Sequence, residues 1–129
     1  MAQPNTTILS LTYYGPDETP QTLRAVLSND VDVNILTRRG QQAVKGVFVT
    51  GLPTKIQSSD GRAYMAWESI RLCLFRPGME KMAREFFHVP NNENLGLRVP
   101  GDVDAILGRG SFFHKPQDTD IFIAAHTLE

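Results

Sequence analysis

The chain of 129 residues is poor in cysteine and has no long hydrophobic run. Its single cysteine, Cys73, excludes an internal disulfide bond and favours a reducing compartment. No apolar run approaches the roughly 20 residues that a membrane-spanning helix needs. The first residues, Met1 to Thr7, lack the basic start of a signal peptide. These absences predict a cytoplasmic protein that does not enter a membrane.

Motifs for metals, phosphates and cofactors are also missing. The three histidines and the cysteine match no zinc-binding spacing. The acid pairs at 102–104 and 118–120 lack the glycine and glutamate of a calcium loop. The stretch Gly108-Arg109-Gly110 has the glycines of a phosphate loop, but no helical pattern follows it. We therefore expect neither a metal site nor a cofactor.

The length and an ordinary hydrophobic content of 41% predict one domain over residues 1–129, with 128–129 a candidate tag scar. Its centre is expected at residues 42–75, where a strand over 44–50 breaks at 51–53 and a hairpin turns at Asp60-Gly61. Asp-Gly between two extended runs is typical of a type I′ turn, which needs positive φ at both central residues. A further strand pattern covers residues 7–14.

Two helices are predicted beside these strands. Thr19-Pro20 resembles a helix start, with apolar residues spaced three and four apart through residue 27. Residues 79–87 place apolar side chains at the same helical spacing: Met79, Met82, Ala83, Phe86 and Phe87. A helical turn at 102–108 and strands at 31–37 and 119–125 complete the prediction. The expected fold class is α+β, a curved and mostly antiparallel sheet of five or six strands with two helices packed on one face.

Charge is segregated along the chain although the net charge is only −1. Residues 1–37 sum to −3, residues 38–84 to +6 and residues 85–129 to −4. The basic middle contains the predicted hairpin. A cationic surface of this kind favours an anionic partner, whereas the alternative is that the acidic ends neutralise it locally.

The predicted binding residues are basic and aromatic side chains in and just before the hairpin. They are Arg38, Arg39, Lys45, Lys55, Arg62, Tyr64, Trp67 and Arg71. The first functional hypothesis is a small non-enzymatic interaction module that presents the hairpin over 42–75 to a protein partner. The alternative is a domain that binds single-stranded nucleic acid, because cations bind phosphates and exposed rings stack on bases. An isoelectric point near 6.3 argues against the alternative.

A second alternative is a hydrolase with Cys73 as its nucleophile. Such a thiol needs a histidine base within hydrogen-bond reach. His114 is the favoured base, because the glycines at 108 and 110 offer backbone N–H groups nearby. No family signature surrounds Cys73, and cysteine is often simply buried. The chain is therefore expected not to be an enzyme.

Overall fold

The computed structural model describes residues 8–76, 81–90 and 101–114. Seven strands, one short helix and one 3-10 turn make up this part of the chain. In chain order they are β1 (Ile8–Tyr14), β2 (Pro20–Leu27), β3 (Asn34–Leu36), α1 (Arg38–Ala43), β4 (Val49–Gln57), β5 (Ala63–Leu74), β6 (Ala83–Pro90), β7 (Ala105–Leu107) and the 3-10 turn Phe112–His114.

A single mixed sheet contains all seven strands, in the order β1-β2-β7-β3-β6-β5-β4. The pairs β2–β7 and β3–β6 are parallel, and the other neighbours are antiparallel. Thr12 and Phe75 form a bridge from β1 to the end of β5, with two backbone hydrogen bonds of 2.7 and 3.0 Å. Because β1 and β5 are well separated in the strand order, this bridge curls the sheet back on itself. β4 lies outside the closed part, held along β5.

The hairpin β4–β5 forms at the predicted position, but its turn is of another kind. Gln57 pairs with Ala63, and the Gly61 N–H donates to the Ser58 carbonyl at 3.1 Å. Gly61 has a φ of +90°, whereas Asp60 has no positive φ, so the predicted type I′ turn is wrong. β4 is also longer than expected, because the strand continues through residues 51–53 with a register shift between Thr50 and Thr54.

The core has two parts, one on each side of the central strands. The larger cluster lies inside the curled sheet and includes Leu11, Leu23, Leu72 and Phe87, all at most 5% exposed. The smaller cluster comprises Val26, Val31, Ile35, Ile56, Ala66, Val103 and Ile106, with Tyr64 packed against it. The hairpin therefore covers the second face of β2, β3 and β7, which is why these short strands are buried on both sides.

The predicted α+β class with two helices packed on one face is wrong, because the described part is almost entirely sheet. Residues 20–27, predicted as a helix, form β2 in register with β1, so that Leu23 faces Leu11. Leu23 and Ala25 alternate inward at the two-residue period of a strand. Pairing with β1 and β7 therefore overrode a short and weak helical spacing.

The helix predicted over 79–87 is wrong over the residues that can be described. Residues 83–90 form β6, paired with β5 on one side and with β3 on the other. Phe87 is fully buried, whereas its neighbour Phe86 is 56% exposed, as expected for opposite faces of a strand. The aromatic and β-branched residues over 86–89 favour a strand, and the apparent helical spacing is coincidental.

Smaller differences concern the connections. The connection between β3 and β4 contains α1, which is capped by the Thr37 hydroxyl accepting from the Gly40 N–H at 3.0 Å. The expected helical turn over 102–108 contains β7 instead. The strand expected over 119–125 lies outside the described residues. Within the described ranges, no helix is long and apolar enough to span a bilayer.

Candidate partner-binding surface

The two faces of the hairpin differ in chemistry, because alternate residues of a strand point to opposite sides. Ile56 and Ala66 face inward on the smaller core cluster, and Tyr64 packs beside them. Lys55 faces outward and is paired with Met65, while Trp67 is 48% exposed. The structure thus separates two rings that the sequence placed in one site.

Trp67 owes its exposure to a bulge in β5. The β5–β6 register shifts between Ala66, which pairs with Pro90, and Glu68, which pairs with Val89. The extra residue in that interval is Trp67. Bulges redirect side chains and occur often beside functional sites.

The bulge also reverses the side-chain alternation of β5, so the exposed side that carries Ser69, Arg71 and Cys73 is not the side that carries Lys55 and Met65. Cross-strand partners share a face, so the pairs Arg71–Phe86, Cys73–Arg84 and Ser69–His88 lie on this side. We call the set the outer face; its members are Val49, Ser69, Arg71, Cys73, Arg84, Phe86 and His88. It combines two arginines with the ring of Phe86 and the imidazole of His88, and it contains no carboxylate.

A groove opens along the outer face, between the end of β1 and the start of β4. Its volume is about 470 Å³, and the buried side chains of Ile70 and Leu72 contribute to its lining. Four exposed apolar side chains also line it: Tyr14 at 49%, Val47 at 79%, Val49 at 61% and Phe86 at 56% exposure. A cluster of large apolar groups left open to water is typical of an interaction site.

Two cations line the same groove. Arg71 is exposed and forms no ion pair with any residue that the structure describes. Lys45 lies near Asp17, whose pKa is lowered mainly by hydrogen bonds from Thr19 and to a smaller extent by Lys45. Among the described residues, the charge of Arg71 is therefore not compensated by a carboxylate, and it lies in the middle of an apolar surface.

Other predicted binding residues are engaged elsewhere. Arg39 lies on α1, where its Nε donates to the buried carboxylate of Asp104 at 3.1 Å. Arg38 is also on α1, not on the hairpin. Arg62, in the turn, pairs with Asp60 at 3.4 Å, and a hydrogen bond with Tyr64 raises the pKa of Arg62. Of the eight predicted residues, Arg71 lies on the outer face and Lys45 borders the groove, whereas Lys55 and Trp67 are exposed elsewhere on the hairpin.

The proposed cysteine nucleophile and its base do not come together in the described part of the chain. Cys73 lies on the outer face opposite Arg84. His114 belongs to the 3-10 turn, where its Nε2 is 2.9 Å from the Leu107 carbonyl oxygen. No hydrogen bond between Cys73 and a histidine is recorded among residues 8–76, 81–90 and 101–114. This arrangement does not activate a thiol.

A buried polar network explains several residues that the sequence did not single out. Asn34 donates to the Glu85 carboxylate at 2.8 Å and accepts from the Gly108 N–H at 3.0 Å. The same carboxylate accepts from the Ser111 hydroxyl and from the Phe112 N–H, each at 2.8 Å. The network joins β3, β6 and the chain after β7, so its role is to hold strands together.

The tip of the hairpin is held against the loop that follows β2. The Ser59 N–H donates to the Asp30 carbonyl at 2.7 Å, and the Gln57 N–H donates to the Asp32 carboxylate at 3.2 Å. The backbone carbonyl of Asp30 and the carboxylate of Asp32 therefore both accept hydrogen bonds from the hairpin. Within the described ranges, no cluster of three or more histidine, cysteine or acidic side chains could hold a metal ion.

The groove residues Tyr14, Val47, Val49 and Phe86 were missed by sequence reasoning. None of them was among the predicted binding residues, because they belong to no charge cluster and to no motif that marks a surface. The chain matches no known protein family, no curated protein and no solved structure.

Proposed function

We propose that this chain is a non-enzymatic binding module that presents the β4–β5 hairpin and the adjoining groove to a protein partner. The observation that carries the proposal is the cluster of four exposed apolar side chains around Arg71 in a groove of about 470 Å³. Aromatic residues and arginine are the groups most enriched at the energetic centres of protein interfaces. The single free thiol supports a cytoplasmic location as part of the same proposal.

The aliphatic part of the groove favours a protein over a nucleic acid. A single strand of nucleic acid is bound by cations and by rings on which bases stack. Val47 and Val49 are the most exposed apolar side chains of the described part, and they offer neither charge nor a stacking surface. A protein partner with apolar side chains uses them directly, because their burial removes apolar area from water.

The test is a selection of displayed random peptides on the folded protein, followed by affinity measurements with the enriched peptides. We expect Phe86→Ser to weaken binding by about tenfold or more, since aromatic anchors dominate interface energies. The matched control is Phe112→Ser, because Phe112 is 42% exposed but does not line the groove. Failure to enrich any peptide, or equal binding by the Phe86 and Phe112 variants, would refute the proposal.

Nucleic acid remains the second candidate because of Trp67, which is half exposed on a hairpin whose Lys55 and Arg71 are also exposed. A fluorescent oligothymidylate tests it. Binding at low salt that is lost at moderate salt and in Trp67→Ala would support this candidate, since phosphate contacts release counterions. Lack of binding at low salt eliminates it. Iodoacetamide labelling addresses the cysteine hydrolase, for which Cys73 must react faster than an ordinary thiol.

A further inference from the structure

The strand β5 changes partners along one of its edges. On that edge Ser69 pairs with Val49 of β4, and Phe75 pairs with Thr12 of β1. Between these two positions the edge faces the groove, whose lining includes Ile70, Arg71 and Leu72 together with residues at the end of β1. β4 begins at Val49, and among the described residues the bridge from Thr12 to Phe75 is the pairing that joins β1 to β5.

The backbone of Arg71 and Cys73 points into this opening. Both the N–H and the C=O of Phe75 bond to Thr12, so they point toward β1. Backbone groups of alternate residues in a strand point the same way. Those of Cys73 and Arg71 therefore face the groove, and no backbone hydrogen bond from them to a described residue on that side is recorded.

We propose that the groove binds an extended peptide segment that adds a short strand along β5, with acidic and apolar side chains in alternation. This inference rests on the proposed function and names the class of partner. An unpaired strand edge is a template for another strand, and main-chain hydrogen bonds then supply affinity while side-chain pockets supply specificity. Six residue steps separate Ser69 from Phe75, about 20 Å of strand, which leaves room for about four added residues.

The side chains around the opening favour a peptide in which apolar and acidic residues alternate. Ile70 and Leu72 are buried residues that line the groove, so side chains on one face of an added strand meet apolar surface. Arg71 lies on the opposite, outer face beside Phe86. Cross-strand neighbours on one face interact most directly, and opposite charges stabilise such pairs. Carboxylates on those residues of the added strand that lie on the outer face therefore complement the charge of Arg71.

The free edge of β4 is the less suitable place for an added strand. Its register with β5 is broken between Thr50 and Thr54, and Pro53 in that interval has no N–H to donate. Bulges and prolines are the devices that protect exposed edges from pairing. The interval of β5 between Ser69 and Phe75 contains neither.

The first experiment measures amide hydrogen exchange of the full chain without a ligand. We expect the amides of Arg71 and Cys73 to exchange faster than those of Leu72 and Leu74, which face the neighbouring strand β6. Equal protection of all four amides would overturn the inference, because it would mean that the edge is already paired.

The second experiment uses fluorescein-labelled octapeptides of alternating valine and aspartate. We expect saturable binding at low salt, slowed exchange at Arg71 and Cys73, and no binding of the valine–lysine octapeptide. The N–H groups of either the valines or the aspartates point toward β5 in an added strand. N-methylation of that set is expected to weaken binding by about tenfold or more, because its N–H groups donate to β5. N-methylation of the other set is expected to leave binding unchanged.

Matched arginine variants test the charge. Arg71→Gln is expected to weaken binding of the valine–aspartate octapeptide by about tenfold, whereas Arg84→Gln is not. Arg84 is exposed on the same outer face but does not line the groove. Equal effects of both variants would overturn the charge complementarity on which the choice of partner depends.

The outcomes separate the inference from the proposed function. If both N-methylated forms bind like the parent octapeptide, the groove binds by side chains alone and only the inference fails. If no octapeptide binds while selected peptides still require Phe86, the inference fails and the proposed function stands. An oligothymidylate that protects the Arg71 and Cys73 amides would assign the opening to nucleic acid and overturn the inference.

Discussion

Two adjacent phenylalanines on β6 provide a direct test of the strand assignment. Phe87 is fully buried in the larger core cluster, and Phe86 is 56% exposed at the groove. Replacement of a buried phenylalanine by alanine costs about 3–5 kcal/mol, from lost burial and the remaining cavity. Phe86→Ala removes a side chain that is already half in water, so we expect a loss of about 1 kcal/mol or less.

The assay is urea unfolding of the two alanine variants and of the parent chain. With a slope of about 1–3 kcal/mol per molar urea, Phe87→Ala is expected to lower the midpoint by about 2 M. Phe86→Ala is expected to shift it by about 0.5 M or less. A small loss at Phe86 also makes the Phe86→Ser binding measurement interpretable, because the variant remains folded.

The reasoning would be refuted if the two variants lost comparable stability. The helical spacing over 79–87 places Phe86 and Phe87 together on the buried face, so equal and large losses are the signature of the helix. A large loss at Phe87 alone is the signature of a strand with its period of two.

Three further outcomes are expected from the same assay. Asn34→Ala should cost about 1–3 kcal/mol, because it leaves the buried Gly108 N–H without its acceptor. The Glu85 carboxylate loses one donor but keeps its bonds from Ser111 and Phe112. Gly108→Ala should destabilise the fold severely, because a Cβ there would collide with the Val33 carbonyl. The control Gly101→Ala should change the free energy of unfolding by less than about 1 kcal/mol, because no described atom lies within reach of a Cβ at that position. Burial lowers the pKa of His88 below its unfolded value of about 6.5, so the unfolded chain binds more protons, and the free energy of unfolding should fall as the pH drops through that value. The variant His88→Gln should abolish this part of the pH dependence. A pH dependence that is unchanged in the variant would contradict the assignment.

The wrong predictions about secondary structure have a common physical cause. Helical spacing over ten residues is a weak signal when the segment is paired on both sides by partners distant in the chain. β6 pairs with β3, about fifty residues earlier, and β2 pairs with β7, about eighty residues later. Such pairings contribute burial and hydrogen bonds that local propensity does not register.

The candidate site was predictable only in part. The position of the hairpin at Asp60-Gly61 was predictable, and Trp67, Lys55 and Arg71 are all exposed, but the bulge in β5 places Arg71 and Lys55 on different faces. The division between Tyr64 and Trp67 was not predictable, because it depends on a second core cluster and on a bulge. The groove was not predictable either, since its two sides come from opposite ends of the strand order.

The sequence by itself determined the position of the hairpin and the concentration of positive charge before and within it, because turn chemistry and charge are properties of adjacent residues. Only the tertiary structure decided which apolar groups are core and which are surface. Val49 and Phe86 carry the composition of core residues, yet they are left in water where β1 and β4 separate along β5. Burial is set by which distant strands meet, and that information lies in the pairing of the whole sheet.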